Sequence, residues 1–242
     1  MQYNKDTKTL TISSTFNEEL NNIPEETEFI IFYQDYVKEF SKFNQPVDNL
    51  PESLTHLTFG QCFNQSVDNL PKNLIHLTFG KWFNQSVDNL PETLTHLTFG
   101  EYFNKSVDNL PKNLTHLTFG DNFNQPVNKL PKNLTHLTFG ICFNQSVDNL
   151  PKNLTSLTFG WRFNQSVDNL PDTLTALLFN YNFNQSVNNL PENLKKLYFY
   201  GIFDKPLNNL PLNLTSIILP LRFKSKNIAN IPLNCKISYH YI

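Results

Sequence analysis

The chain is 242 residues long with a formal net charge of −2, and charged residues make up only 17% of it. So balanced a chain has no basic field with which to hold a nucleic-acid backbone, and no apolar run approaches the ~20 residues of a membrane span. Its polar start, Met1-Gln2-Tyr3-Asn4-Lys5-Asp6, lacks the apolar core segment of a secretory signal.

From the N-terminus, residues 1–42 read as a worn version of the pattern that fills the rest. Leu10 and Ile12 fit the strand of a half-unit. Phe16, Asn17, Leu20, Ile23, Pro24, Ile30 and Phe32 occupy the offsets of a full unit, and seven extra residues, Gln34 to Phe40, follow. The chain then becomes near-identical tandem copies opening at Phe43, Phe63, Phe83, Phe103, Phe123, Phe143, Phe163, Phe183 and Phe203 without a gap. These are nine 20-residue units over 43–222. Phe223 opens a degenerate unit over 223–242, in which Ile231-Pro232 is displaced by one residue. Its segment Ile237-Ser238-Tyr239-His240-Tyr241-Ile242 reads as a last strand with an exposed edge. The terminal stretches are expected to cap one solenoid, the first through Glu18, Glu19, Glu25, Glu26 and Glu28. The repeat covers essentially the whole sequence and leaves no room for a separate catalytic domain.

Within one unit, FNQSVDNLPKNLIHLTFGKW at 63–82, Leu77 and Phe79 alternate with His76 and Thr78, the period-2 signature of a strand. Gly80 follows and recurs as Gly60, Gly100, Gly120, Gly140 and Gly160, which predicts either a positive φ or room for a tight corner. Leu74, Phe83, Val87 and Leu90 are further inward residues, and Pro91 limits the stretch after Ser86 to extended chain or one helical turn. A single unit buries too little apolar surface to offset the entropy of ordering its backbone. Stacking supplies the remainder, by pairing each strand with its neighbours and covering both sides of every Leu and Phe. The expected fold is a mostly β, leucine-rich-repeat-like solenoid, right-handed, with one parallel strand per coil and little helix. Asn44, Asn64, Asn84, Asn104, Asn124, Asn144, Asn164 and Asn184 lie between core residues and should form a ladder to adjacent coils, broken at Asp204 and Lys224.

Units such as Phe63-Asn64-Gln65-Ser66-Val67 and Phe123-Asn124-Gln125-Pro126-Val127, each followed by Leu-Pro-x-x-Leu-x-x-Leu-x-Phe-Gly, resemble the FNIP repeat. That family is known from social amoebae and giant DNA viruses and is similar to leucine-rich repeats. The resemblance spans about residues 43–220, with a period about two residues shorter than the usual FNIP unit. It implies binding of a protein partner. Some relatives carry an F-box that links a bound target to ubiquitin ligation, but residues 1–42 are occupied by degraded repeat.

Candidate sites follow from the columns that stacking creates. The strand's outward face, the concave surface in solenoids, carries His56, His76, His96, His116 and His136, followed by Ser156, Ala176, Lys196 and Ser216. Neighbouring imidazoles ~4.8 Å apart invite a zinc reading. No Cys or carboxylate recurs beside them, and the alternatives are a contact surface or an inherited strand residue. The next outward column, Thr58 to Thr158, changes to Leu178, Tyr198 and Ile218; with Tyr200 and Tyr181 these form an apolar patch, either a contact site or a surface covered by the C-terminal segment. The two positions after the corner vary most: Gln61-Cys62, Lys81-Trp82, Glu101-Tyr102, Asp121-Asn122, Ile141-Cys142, Trp161-Arg162, Tyr181-Asn182, Gly201-Ile202 and Leu221-Arg222. So free a slot must be exposed, and Trp82, Tyr102, Trp161, Arg162 and Tyr181 are candidate partner contacts; neutral drift is the alternative. The row Asp48, Asp68, Asp88, Asp108, Asp148 and Asp168 offers one acid per coil, which suits a turn hydrogen bond better than calcium.

No nucleophile, base and orienting group converge, so no catalytic residue, metal or cofactor is expected. Cys62, Cys142 and Cys235 lack CxxC or zinc spacing and read as free thiols of a reducing compartment. The expectation is a cytoplasmic binding scaffold, in the host cytoplasm if viral, for an unidentified protein partner. It would be a monomer or a weak end-to-end dimer, with no nucleic-acid or membrane role. The alternative is a structural element that self-assembles through its terminal strands.

Overall fold

The structure, a computed structural model, describes residues 1–33, 40–224, 228 and 230–240. Most of the insertion before Phe43, residues 34–39, and Tyr241-Ile242 lie outside the described residues. Two compact units are present, residues 1–123 and 124–242. Both are β-solenoid stacks, and no helix occurs among the described residues.

In residues 1–123 the strands are β1 (Gln2–Asn4), β2 (Thr9–Ile12), β3 (Phe29–Phe32), β4 (His56–Thr58), β5 (His76–Thr78), β6 (His96–Thr98) and β7 (His116–Thr118). From β2 onward they pair in parallel with their sequence neighbours, and Leu57, Leu77, Leu97 and Leu117 fall in one row. β1 differs. It pairs antiparallel with β2, through a turn in which the Asp6 and Thr7 amides donate to Asn4 Oδ1 (3.0 and 3.2 Å) and Lys8 takes a φ of 48°. The first parallel strand is therefore covered by a hairpin.

Residues 124–242 contain β8 (His136–Thr138), β9 (Ser156–Thr158), β10 (Ala176–Phe179), β11 (Lys196–Phe199), β12 (Ser216–Pro220) and β13 (Lys236–His240), each parallel to the next. The one-residue displacement in the last coil is visible as a bridge from Leu207 to Ile228. Strand register is nonetheless restored at Ser216↔Lys236.

The core is made of the six inward residues per coil that the pattern marks: Phe63, Val67, Leu70, Leu74, Leu77 and Phe79 are all buried, as are their counterparts in the regular coils. The phenylalanines pile up in register. In the first unit Phe43, Phe63, Phe83, Phe103 and Phe123 follow at ring spacings of 6.1 Å, each packed on the strand-end ring of its coil, Phe63 on Phe59 at 3.7 Å. The second unit repeats this with Phe143, Phe163 and Phe183. Two turns close each coil, with the Leu74 amide donating to Pro71 O and the Phe83 amide to Gly80 O.

Side chains join successive coils. The Asn64 amide donates to Asn44 Oδ1 (2.8 Å) and the Asn164 amide to Asn144 Oδ1 (2.9 Å), with equivalent rungs along each unit. The ladder differs from expectation in two ways. Its amides are half-exposed, because the Phe and Val on either side occupy the interior. It begins in the worn region, where Asn17 Oδ1 accepts from the Asn44 amide. A further rung reaches the changed position, where the backbone amide of Asp204 donates to Asn184 Oδ1 (3.1 Å). Gln65, Gln85 and Gln145 add bonds to the preceding Asn carbonyl. The Asp row forms a second ladder, in which Asn69 Nδ2 donates to Asp48 Oδ1 and Asn169 Nδ2 to Asp148 Oδ1, both at 3.0 Å, with Ser66 and Ser146 hydroxyls on the other oxygen of Asp68 and Asp148. These carboxylates are committed to stacking.

The recurring glycines show no positive φ. They allow close approach: a Cβ at Gly100 would lie 1.9 Å from Gly80 O, and one at Gly80 the same distance from Gly60 O. Where Tyr200 replaces the corner glycine, the need moves one residue along, and a Cβ at Gly201 would meet Tyr181 O at 2.0 Å.

Candidate functional site

The short strands expose their alternate residues, and the corner after each strand places the next two beside that face. In residues 1–123 the first outward row is Phe29, His56, His76, His96 and His116, stacked ring on ring at 4.5, 4.3, 4.1 and 4.2 Å. Nδ1 of His56, His96 and His116 lies 2.8–2.9 Å from the hydroxyl of the preceding threonine. The Thr55 and Thr115 hydroxyls also reach Glu28 O and Thr95 O at 3.1 Å; a hydroxyl that donates there accepts from Nδ1–H, and one that donates to Nδ1 leaves the ring proton on Nε2. Burial, and then the neighbouring imidazoles, hold His56 and His76 below the ordinary histidine pKa, with Glu28 partly opposing this at His56. Rings stacked in parallel aim their lone pairs side by side, whereas a zinc centre needs them to converge. Among the described residues no group of three or more His, Cys, Asp or Glu is placed to hold a metal ion.

The corner ridge of this unit carries Trp82 and Tyr102, stacked at 4.3 Å with planes 2° apart. Lys81 and Glu101 bridge at 2.9 Å beside them, and the Lys81 ammonium lies 5.9 and 5.7 Å from the two ring centres. The Glu101 hydrogen bond raises the Lys81 pKa. Trp82 is 49% exposed. The ridge backbone is itself a ladder, with the Trp82, Tyr102 and Asn122 amides donating to Gln61, Lys81 and Glu101 carbonyls at 2.9 Å. The slot is not exposed throughout, however: Gln61 is buried, near the start of the stack. Between ridge and strand face lies an open groove of about 680 Å³ whose walls include Ile31, Tyr33, Phe40, Thr58, Thr78 and Lys81. Phe29, Ile31 and Tyr33 were not singled out from sequence. Their signal was the alignment of Phe29 and Ile31 with the His and Thr rows, blurred by the insertion.

In residues 124–242 the same positions diverge. His136 keeps its Thr135 contact at 2.9 Å. Trp161 and Arg162 are exposed on the ridge, and the Trp161 ring lies 6.1 Å from Tyr181, tilted. Leu178, Tyr198 and Ile218 are half-exposed on the strand face. Tyr198 neighbours Tyr200 at 6.4 Å, and Tyr200 meets the His240 ring edge-on at 4.9 Å. Lys236–His240 lies beside β12 as the next strand and touches the patch at Tyr200 through His240.

Cys62, Cys142 and Cys235 are unbridged, and no helix among the described residues is long and apolar enough to cross a membrane. No curated protein sequence matches the chain. Among solved structures it is similar to CroV588, a giant-virus protein described as a novel circular leucine-rich-repeat structure, with 41% identity and a TM-score of 0.80 over 92% of this chain. The chain spans 35% of that protein's length. YopM from Yersinia enterocolitica (17% identity, TM-score 0.52, 91% of this chain and 53% of that one) and an internalin from Listeria monocytogenes (17%, 0.58, 96% and 86%) share the fold. The FNIP repeat model matches residues 43–82, 63–102, 103–142 and 143–182. With that match across most of its regular coils, the chain belongs to the FNIP-repeat family.

Proposed function

We propose that the chain is a non-catalytic scaffold that binds a protein partner through the outward strand face and the adjoining corner ridge. One observation carries this: in an array of near-copies, the ridge positions are free to vary, and they place Trp82 and Trp161 about half exposed. Exposed aromatics on a rigid backbone are favourable contact anchors. The leucine-rich-repeat-like fold supports the same reading, and unbridged thiols agree with a reducing, cytoplasmic setting. In an assembly coupled to ubiquitin ligation, this surface would hold the substrate.

A photo-crosslinking residue placed at position 82, 102 or 161, and at control position 72 or 152 on the Pro turns, tests the proposal in host extract. Selective capture of one protein from the ridge positions, lost on adding unlabelled parent chain, is expected. Equal labelling from the Pro-turn controls would refute it.

A second reading, self-assembly through terminal strands, draws on β13. It is the outermost described strand, and its inward Tyr239 is 46% exposed. Light scattering across a concentration series decides: a dimer abolished by Tyr239→Lys supports self-assembly, and a monomer at all concentrations removes it.

A further inference from the structure

The formal charge of −2 conceals a division between the two units. Residues 1–123 contain 8 Lys and Arg against 16 Asp and Glu, whereas residues 124–242 contain 11 against 5. The basic excess of the second unit includes a cluster on the surface already described. Lys196 and Lys236 take positions in the row that holds His136, and Arg162 and Arg222 stand on the ridge; all four are exposed. In the first unit, by contrast, the cations Lys8 and Lys81 are each paired with a carboxylate.

The five acids of the second unit do not neutralise this surface. Asp148 and Asp168 belong to the turn ladder, bonded by Ser146 with Asn169 and by Ser166 with Asn189. Asp172 and Glu192 lie on the Pro turns, and Asp204 occupies the Asn ladder. None stands in a strand-face or ridge position. Among the described residues Arg162, Lys196, Arg222 and Lys236 make no ion pair. Interleaved with these cations are half-exposed Leu178, Tyr198 and Ile218 and exposed Trp161, Ile202 and Leu221.

Resting on the scaffold reading above, we propose that this face of residues 124–242 binds an acidic polypeptide segment that also carries apolar side chains. Charge complementarity selects the sign of the partner. The aliphatic side chains between the cations select a polypeptide over a nucleic acid, whose phosphate backbone would leave them unburied. Lys196 and Lys236 are two coils apart, roughly 10 Å at ~4.8 Å per coil, which matches one turn of a polyproline-II-like chain, three residues at ~3.1 Å each, whose period returns every third side chain to the same face. A segment running along the stack would therefore offer carboxylates at every third position, with apolar residues between them.

The test uses the full chain and fluorescence anisotropy of a fluorescein-labelled peptide of about nine residues, with glutamate at every third position between leucine, phenylalanine and serine. The parent is expected to bind it, more weakly as salt rises. Lys196→Glu/Lys236→Glu should weaken binding about tenfold or more, whereas the same charge change in Lys132→Glu/Lys152→Glu on the Pro turns should leave it unchanged. Unchanged affinity in the double Lys variant, tighter binding of an oligothymidine than of the peptide, or no binding by the parent would each overturn the inference. Those outcomes leave the scaffold reading standing as long as crosslinking from the ridge remains selective.

Discussion

Gly100→Ala adds one methyl group at a point where two coils touch. The added carbon would lie 1.9 Å from Gly80 O, 2.5 Å from Gly80 C and 3.0 Å from Lys81 Cα. All three are backbone atoms, which cannot rotate aside, and ordinary contact begins near ~3.5 Å. The coils must therefore part locally by more than about an ångström. That is enough to carry the hydrogen bond from the Tyr102 amide to Lys81 O, now 2.9 Å, past its useful range. Overpacking costs about 1–3 kcal/mol and one or two lost hydrogen bonds about 0.5–1.5 kcal/mol each. The combined effect is roughly 2–5 kcal/mol. At ~2–4 °C per kcal/mol for a chain of this size, the melting temperature should fall by roughly 4–20 °C. Far-UV circular dichroism during heating and in urea reads this directly. Gly100→Asn separates the physical causes. Asparagine tolerates positive φ, so it would outperform alanine if backbone conformation were the reason for glycine. Close approach predicts that it performs no better. A Gly100→Ala chain that melts with the parent, or clear rescue by asparagine, would refute the argument.

Asn144→Ala removes the acceptor of the Asn164 amide and should cost ~1–3 kcal/mol. Asn144→Asp, which retains the acceptor, should cost less, and equal losses in urea midpoint for the two variants would contradict the ladder's role. The histidine row makes stability depend on pH. His56 and His76 are held below their ordinary pKa by burial first and then by neighbouring imidazoles, so the unfolded chain takes up protons before the folded one. Their contribution is complete above the unfolded pKa of about 6.5 and is lost as pH falls through the lower folded values. Melting temperatures between pH 8 and 5 should fall more steeply for the parent than for His76→Gln/His96→Gln; parallel profiles would show that the stack is electrostatically inert.

The fold was legible because repetition removes ambiguity. A single Leu-x-x-Leu-x-Phe segment could belong to many structures, but at a constant 20-residue interval the same residues must meet their own copies. That logic placed Phe63, Phe83 and Phe103 in one file and named the six inward positions before any coordinates. It weakened wherever copies cease to be equal. β1 has no counterpart in the repeat, so its antiparallel pairing was not visible. Gln61 is buried although its column varies freely, because its surroundings at the start of the stack differ from those of Trp161. The candidate site was legible only as columns. Variation after the glycine pointed to Trp82 and Tyr102, while their stacking with the Lys81–Glu101 pair depends on rotamers that no spacing specifies.

By itself the sequence determined which side chains face inward and that each strand pairs with its copy, since both follow from period and alternation along one chain. Only the tertiary structure decided why glycine recurs at the corner, that the histidine rings stack face to face, and which cations stand without acids. Those depend on distances between coils, and a distance of 1.9 Å from a missing Cβ to the next coil's carbonyl is a property of two coils together.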